Sequence, residues 1–510
     1  MALPEAGQKL FTPETLRAAA KQSQRIRLVP LSLRRAIKKY LREKDKGHMN
    51  RKVMLLSESF CRVKEANLQL AASTSRALVE DPHRPVENRA ARWKIQSAYG
   101  DIGLRYREDE TVAYVASRMP AVYTAIHRVL REVRRRLPDF SPNKVLDFGA
   151  GPSSALWAMR DVWPQSIQTV NLVEPSKEMQ RASQSLLQNL KGLPLIHSYD
   201  SIQELNRKLD KKNRHHDLVV SSYALGEIPS LTDRITIVRQ LWDLTSDVLV
   251  LLEPGTPHGS KIISQMRSYI LWMEKRRSRK LEKLEKKNSS DVTSIVVSKP
   301  TLKAGSFVVA PCPHDGKCPL ENTSKYCHFV QRLERTSSQR VYKRSGGKPL
   351  RGFEDEKFCY VALRRGKRPQ EAWPLDGMKF ETLKEQHAKR NPEDLIIDYE
   401  DQFKSEGEEE EGSFEDKDLV PYQSDVGETD LFHGDEEEEE DQLRAGMGGG
   451  WGRIIYMPLR RGRQVQMDIC RATKRDGSEG AFERVVVTQS NNPVLHHQAR
   501  RSIWGDLWPF

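Results

Sequence analysis

The chain has 510 residues, room for more than one folding unit, and its net charge of +14 conceals an imbalance. Residues 401–441 carry nineteen acids and two lysines, a net of −17 that leaves +31 for the rest, the footprint of a polyanion partner and of nucleic acid foremost. No apolar run approaches the ~20 residues that cross a bilayer, and six cysteines are too few for a secreted disulfide scaffold.

The opening stretch, MALPEAGQKLF, lacks the apolar core of a secretory signal. Residues 21–42 are basic and free of acids, as a mitochondrial transit peptide is and as an ordinary basic helix equally is. Glu5, Glu14, Glu43 and Asp45 flank them. The region 1–137 is expected to be helical, with apolar residues at helical spacing over 13–22, 31–41 and 51–70. The spacing predicts one long helix over 111–137, stopped by Pro138. Its last turns carry Arg128, Arg131, Arg134, Arg135 and Arg136, placed for RNA contact or to complement the helix dipole.

From Lys144 short apolar runs alternate with helical segments. Strands are predicted over 145–148, 169–173, 218–222 and 248–252, with helices over 153–162, 176–190, 202–209 and 231–244 between or after them. That alternation predicts an α/β unit over 138–392, a parallel sheet with helices on both faces. A long helix over 261–287 ends in KRRSRKLEKLEKK, and two strands, 307–310 and 358–363, bracket a cysteine-rich insert at 311–359. Residues 393–445 read as an acidic disordered linker too poor in apolar side chains to fold. Residues 446–510 form the last unit, a small basic β module with strands expected at 454–457, 464–469 and 484–488. Arg460, Arg461, Arg463, Arg471, Lys474 and Arg475, with Trp451, Tyr456, Trp504 and Trp508, make it either an RNA platform or a small sheet with core aromatics.

The chemistry concentrates in two places. The first is KVLDFGAGPSS at 144–154, where a strand carrying Asp147 gives way to Gly149, Ala150 and Gly151 before a helix. Glycines there let the backbone turn and approach a ligand, and the helix start offers free N–H groups. The next strand runs into Glu174, an acid placed to bind ribose hydroxyls. Ser153, after Pro152, replaces the third glycine of the commonest methyltransferase pattern. The candidate donor-binding residues are Asp147, Gly149, Gly151, Ser153, Glu174, Asp200 and Ser221. The run Ser221-Ser222-Tyr223-Ala224-Leu225 stands where base-amine methyltransferases carry Asn/Asp-Pro-Pro-aromatic, and no cysteine lies at a strand end for attack on a base. No catalytic residue can be named.

The second is Cys312, Cys318, Cys327 and Cys359, spaced C-x5-C-x8-C-x31-C. Four thiolates hold zinc or an iron–sulfur cluster. Zinc ribbons favour short knuckles, so the wide spacing and the Cys-Pro pairs lean toward iron–sulfur, while His314 and His328 keep a mixed zinc site open. Basic residues around the insert (Arg332, Arg335, Arg340, Lys343, Arg344, Arg364, Arg365, Lys367, Arg368) make either an RNA-facing surface braced by metal or a solvated charged face.

Together LDFGAGPSSALWA, LVEPS, SSYALGEI, LLEPGTPHG, APCPHDGKCPL and YCHFVQRLER resemble one family, the mitochondrial methyltransferase-like assembly factors of the small ribosomal subunit. The resemblance runs from Tyr114 to Leu363 and resumes at Trp451. It implies a Rossmann-like class I methyltransferase fold binding S-adenosylmethionine, and a [4Fe–4S] cluster on Cys312, Cys318, Cys327 and Cys359. It further implies a matrix protein docking on the head of the immature mitochondrial small subunit, with its rRNA, ribosomal proteins and other assembly factors as partners and no membrane. The absent acceptor motif fits an assembly factor whose donor pocket is a structural or sensing relic; the alternative is a working rRNA methyltransferase.

Overall fold

The computed structural model describes residues 17, 20–22, 26–44, 47–57, 106–210, 213–228, 230–288, 303–321, 323–343, 351–369, 451–474 and 476–509. The acidic segment and residues 58–105 lie outside the described residues. Helix α1 is Leu31–Arg42, and residues 51–57 are also helical. The single helix expected over 111–137 is instead two, α2 (Glu108–Ser117) and α3 (Met119–Arg136). Pro120 sits in the first turn of α3, where its missing N–H costs nothing; inside a continuous helix it would have removed a ladder bond.

The α/β body then runs β1 (Lys144–Phe148), α4 (Ser154–Val162), β2 (Thr169–Val173), α5 (Lys177–Leu187), β3 (Leu195–Tyr199), α6 (Ile202–Lys208), β4 (His216–Ser222), α7 (Leu231–Asp243), β5 (Thr245–Pro254) and α8 (Pro257–Asn288). It closes with β6 (Ser306–Ala310), β7 (Phe329–Glu334), α9 (Ser337–Tyr342) and β8 (Phe353–Arg365). The sheet order is β3-β2-β1-β4-β5-β8-β6, with β7 paired to β8. Strands β1 to β5 are mutually parallel; β8 is antiparallel to β5, β6 and β7.

Both faces of this sheet are covered, which is why its strands read as continuous apolar runs. Along β5, Val248, Val250 and Leu252 enter the core on one face while Leu249 and Leu251 enter the core on the other. Along β8, Phe358, Tyr360 and Ala362 alternate in the same way with Cys359, Val361 and Leu363. Edge strand β3 buries only Tyr199, so its apolar signal is weak.

A second sheet follows: β9 (Gly452–Ile454), β10 (Leu459–Arg461), β11 (Gln464–Ala472), β12 (Gly480–Thr488) and β13 (Leu507–Trp508), with α10 (Pro493–Arg501) packed on it. Its order is β10-β11-β9-β13, with β12 on β11. Of the strand expected at 454–457 only Ile454 lies in one, whereas 464–469 and 484–488 fall inside β11 and β12. Val465, Met467 and Ile469 point from one face of β11 into a core shared with Trp451 and Trp508. Those tryptophans are therefore core, not platform. Among the described residues no helix is long and apolar enough to cross a membrane.

Candidate functional site

A cavity of about 410 Å³ opens at the carboxyl ends of the parallel strands, the place where doubly wound sheets bind ligands. Gly149 and Gly151 after β1, Glu174 after β2, Ser222 and Tyr223 at the end of β4, and Glu253 at the end of β5 all line it. Gly149 and Gly151 have φ of 69° and 51°, the left-handed region that glycine adopts without a Cβ penalty. Their loop is tied down: Gly149 N–H donates to the Val173 carbonyl at 2.9 Å, and Gly151 N–H to Glu174 Oε2 at 2.8 Å. The other Glu174 oxygen accepts from Ser176 N–H at 2.9 Å.

Four carboxyls crowd this end of the sheet. Burial pushes Glu174 up to about 7 against the pull of the Ser176 and Gly151 N–H groups. Glu253, which accepts from Leu225 and Gly226 N–H at 2.8 and 3.2 Å, is likewise pushed up by burial to about 7. Glu227 goes up to about 8 through burial, although Tyr106 donates its hydroxyl to it at 2.7 Å. Asp147 lies beneath the loop, fully buried, and neither of its oxygens has a hydrogen-bond partner among the described residues. Burial, then the nearby Glu174, raises it to about 8. A site with this many reluctant carboxylates is suited to a cationic ligand, which would let them ionise.

The far wall is a polar triad that the sequence did not reveal. Arg118 grips Glu356 of β8 through two bonds of 2.9 Å, and Tyr223 donates to the same carboxylate at 2.8 Å. Tyr223 has φ of 58°, an outlier for a bulky side chain. Of the expected donor residues, Gly149, Gly151 and Glu174 line the cavity. Asp147, Ser153 and Ser221 are buried close by: the Ser153 hydroxyl pairs with Ser183, and the Ser221 hydroxyl is unpartnered among the described residues. Asp200 faces outward, half exposed and bonded to Lys177 and Gln180, and does not line the cavity.

The cysteines gather on the other side of β8. Cys318, Cys327 and Cys470 share one apolar cluster with Leu320 and Ile455, and Cys359 Sγ donates to the Cys327 carbonyl at 3.1 Å. Burial pushes the Cys327 thiol well up, and Cys312, Cys359, Cys318 and Cys470 push it further, so four other sulfurs lie within electrostatic reach of it. Cys470, on β11, is the neighbour that spacing alone gave no means to find. It lies 3.4 Å from His314 Nε2. His328 instead stacks on Tyr326 and meets the edge of Trp504. Among the described residues no three His, Cys, Asp or Glu side chains stand in metal-ligating geometry.

The second sheet is locked beside this cluster by a buried ion pair. Arg453 on β9 meets Glu132 of α3, and its Nε donates to the Pro311 carbonyl at 3.2 Å, next to Cys312. Glu132 also accepts from Arg136 at 3.0 Å and from the Tyr360 hydroxyl at 2.6 Å. Burial would raise Glu132, but Arg453 and Arg136 outweigh it and hold it down at about 2.

Most of the basic residues read as either an RNA face or a solvated charged face make ion pairs or hydrogen bonds within the fold. Arg332 pairs with Asp355, Arg335 and Lys343 with Glu354, Arg340 with Glu334, Arg364 with Asp247 and Arg368 with Asp315. Arg365 is buried over the Trp242 ring. On α3, Arg134, Arg135 and Arg136 donate to the carbonyls of Val162, Lys21 and Val309. Arg344 lies outside the described residues.

A parallel 3-2-1-4-5 sheet extended by an antiparallel strand, with a cavity at the strands' carboxyl ends, defines a Rossmann-like α/β protein. The chain belongs to the Rsm22 family: the family model described as mitochondrial small ribosomal subunit Rsm22 matches residues 108–281, 284–380 and 424–509. The resemblance read from the motifs therefore holds. Human ribosome assembly protein METTL17, mitochondrial, is 31% identical over 277 residues, 53% of this chain and 52% of that protein. Ribosome assembly protein RSM22, mitochondrial, of Saccharomyces cerevisiae is 24% identical over 455 residues, 78% of this chain and 67% of that one. The Rsm22-cox11 tandem protein 2, mitochondrial, of Schizosaccharomyces pombe is 24% identical over 427 residues, with 81% of this chain and 45% of that protein covered. The match thus spans about half the length of the human and fission-yeast relatives. Among solved structures, a plantazolicin methyltransferase in complex with SAH matches at 8% identity and a TM-score of 0.28, over 61% of this chain and all of that one. The magnesium protoporphyrin IX methyltransferase of Synechocystis with bound SAM matches at 17% and 0.23, over 33% of this chain and 74% of that one. At such scores the likeness carries no argument.

Proposed function

We propose that this chain is an rRNA-binding assembly factor of the mitochondrial small ribosomal subunit, acting in the matrix on the subunit head. The observation that carries the reading is the family match, which takes in both the α/β body and the segment around the second sheet. Its partners would be small-subunit rRNA, ribosomal proteins of the head and other assembly factors. Cross-linking the protein to RNA in mitochondria should enrich small-subunit rRNA, and its depletion should remove mature small subunits from sedimentation profiles. Enrichment of no small-subunit rRNA would sink the reading.

The cavity fits S-adenosylmethionine, a cation, on the ground of its buried carboxyls and the unpartnered oxygens of Asp147. Gly149, Gly151, Glu174 and Glu253 would hold it, and when bound it supplies an electrophilic methyl group. No described residue of the cavity reproduces the acceptor-binding motif of base-amine methyltransferases, which favours a donor used as a structural or sensing ligand. The second reading, an active rRNA methyltransferase, is favoured by the intact glycine loop. Mapping rRNA methylation in cells carrying Gly149→Arg separates the two: a methyl group lost with that variant and restored by wild type establishes the enzyme.

The thiol set fits a soft metal centre in donor type, with Cys312, Cys318, Cys327 and Cys359 as the ligands of a [4Fe–4S] cluster that braces the insert. Anaerobic purification should give iron and sulfide in a 1:1 ratio, lost in Cys327→Ser. Stoichiometric zinc without iron would replace the cluster with a zinc site.

A further inference from the structure

With most described cations around the insert and on α3 engaged inside the fold, one exposed stripe stands out on α8. Its inward side is fixed by Ile263, Met266 and Ile270 in the core and by Glu274, which is 1% exposed. Glu274 accepts from Trp242 Nε1 at 2.8 Å and from Gly305 N–H at 3.1 Å, so the helix cannot roll. Its outward side carries Trp272, Lys275, Arg276, Arg279 and Lys280, the i, i+3, i+4, i+7, i+8 spacing that defines a single helix face. All five are exposed, and none of the four cations makes an ion pair among the described residues. The stripe is about 12 Å long at 1.5 Å per residue.

Trp272 is 57% exposed, a large apolar surface to leave in water. The Arg276 guanidinium lies 5.6 Å from its ring centroid, and Tyr269 lies behind it at 6.4 Å. An aromatic face ringed by cations is what unpaired nucleotides require: a π surface for the base and positive charge for the phosphates. A membrane surface is disfavoured, because an interfacial helix needs a row of exposed apolar side chains, and this stripe has one.

We propose that this face of α8 is a docking site for single-stranded RNA, with an unpaired base stacked on Trp272 and the flanking phosphates on Arg276, Arg279, Lys275 and Lys280. The proposal rests on the reading of the chain as an RNA-binding assembly factor and names the surface and the kind of RNA it takes.

The test is fluorescence anisotropy of the full chain with an RNA hairpin bearing an unpaired loop and with a fully paired RNA duplex of equal length. Trp272→Ala should weaken hairpin binding about 5- to 100-fold and leave duplex binding unchanged, while Trp272→Phe stays close to wild type. Arg276→Gln/Arg279→Gln should lower the slope of log affinity against log salt by about 1.4, at about 0.7 for each phosphate contact. Unchanged melting temperatures would establish that these surface variants fold. Hairpin binding by Trp272→Ala equal to wild type overturns the site while leaving the RNA-binding reading intact. No binding of either RNA by wild type overturns both. Binding to phosphatidylserine vesicles that Trp272→Ala abolishes, with RNA affinity unaltered, assigns the face to a membrane and also overturns the proposal.

Discussion

Two buried carboxyls, Asp147 and Glu132, show how one residue chemistry serves opposite ends. Asp147 lies under the cavity loop with no hydrogen-bond partner among the described residues, and burial carries it up to about 8. Glu132 is as deeply buried, yet Arg453, Arg136 and Tyr360 surround it and it is held down at about 2. Desolvation penalises both anions; what differs is whether a cation of the same chain compensates it. Glu132 is complete within the fold and locks two sheets together. Asp147 has no such cation among the described residues. A buried acid with its partner is architecture, and one without is a candidate site.

The strongest way to break that contrast is to neutralise the lock. Glu132→Gln leaves Arg453 and Arg136 buried without their carboxylate and should cost about 3–5 kcal/mol, read as a lower midpoint in denaturant. The double variant Glu132→Gln/Arg453→Met should recover part of that loss. In the wild type, the Glu132 contribution is present above the ordinary carboxylate range and vanishes as pH falls from about 4 through 2.

Asp147 carries the opposite sign. Between about 4 and 8 the folded chain holds a proton that the unfolded chain has released, so stability falls as pH rises through that window. One such group contributes a slope of up to about 1.4 kcal/mol per pH unit. Asp147→Asn should flatten the decline of melting temperature between pH 5 and 8. An unaltered decline would mean that Glu174, Glu227 and Glu253 account for it. S-adenosylmethionine, if it binds, should flatten it too, by supplying the missing charge.

The cavity half of this comparison was legible in the sequence and the lock half was not. Gly149, Gly151 and Glu174 sit at strand ends within one stretch of chain, so local pattern and chain order suffice to bring them together. Arg453 and Glu132 are 321 residues apart, and Cys470 reaches His314 across 156, so nothing local marks either pair. Arg118, Tyr223 and Glu356 escaped for the same reason. The reading of 111–137 as one helix failed on Pro120, which sits in the first turn of α3, just after α2 ends. The arginines left two readings open because charge in a sequence does not say whether its partner is solvent, RNA or a carbonyl within the fold.

A smaller effect sharpens the cavity side. Gly151 has φ of 51°, and a Cβ there would meet nothing within 4 Å. Gly151→Ala should therefore cost only the left-handed backbone penalty, about 1–2 kcal/mol, with no steric clash. Calorimetric titration with S-adenosylmethionine should find weakened binding rather than none. Gly149→Arg, which places a long cation in the cavity, should abolish it.

A last variant tests the boundary between the two regimes. Glu356 is buried and fully served, as Glu132 is, yet its partners Arg118 and Tyr223 both line the cavity. Tyr223→Phe removes one bond of 2.8 Å but leaves the bidentate Arg118 grip and the ring beside the guanidinium. If the triad is architecture, the cost is that of one hydrogen bond to a charged group, about 1.5–3 kcal/mol at most and less where Glu356 can relax toward Arg118. Ligand affinity then stays unchanged. If the left-handed backbone at Tyr223 is instead held for the ligand, the variant should melt almost as wild type and bind less tightly, because the hydroxyl then serves to fix a strained wall. Measured together, melting temperature and donor affinity decide on which side of the comparison this wall belongs.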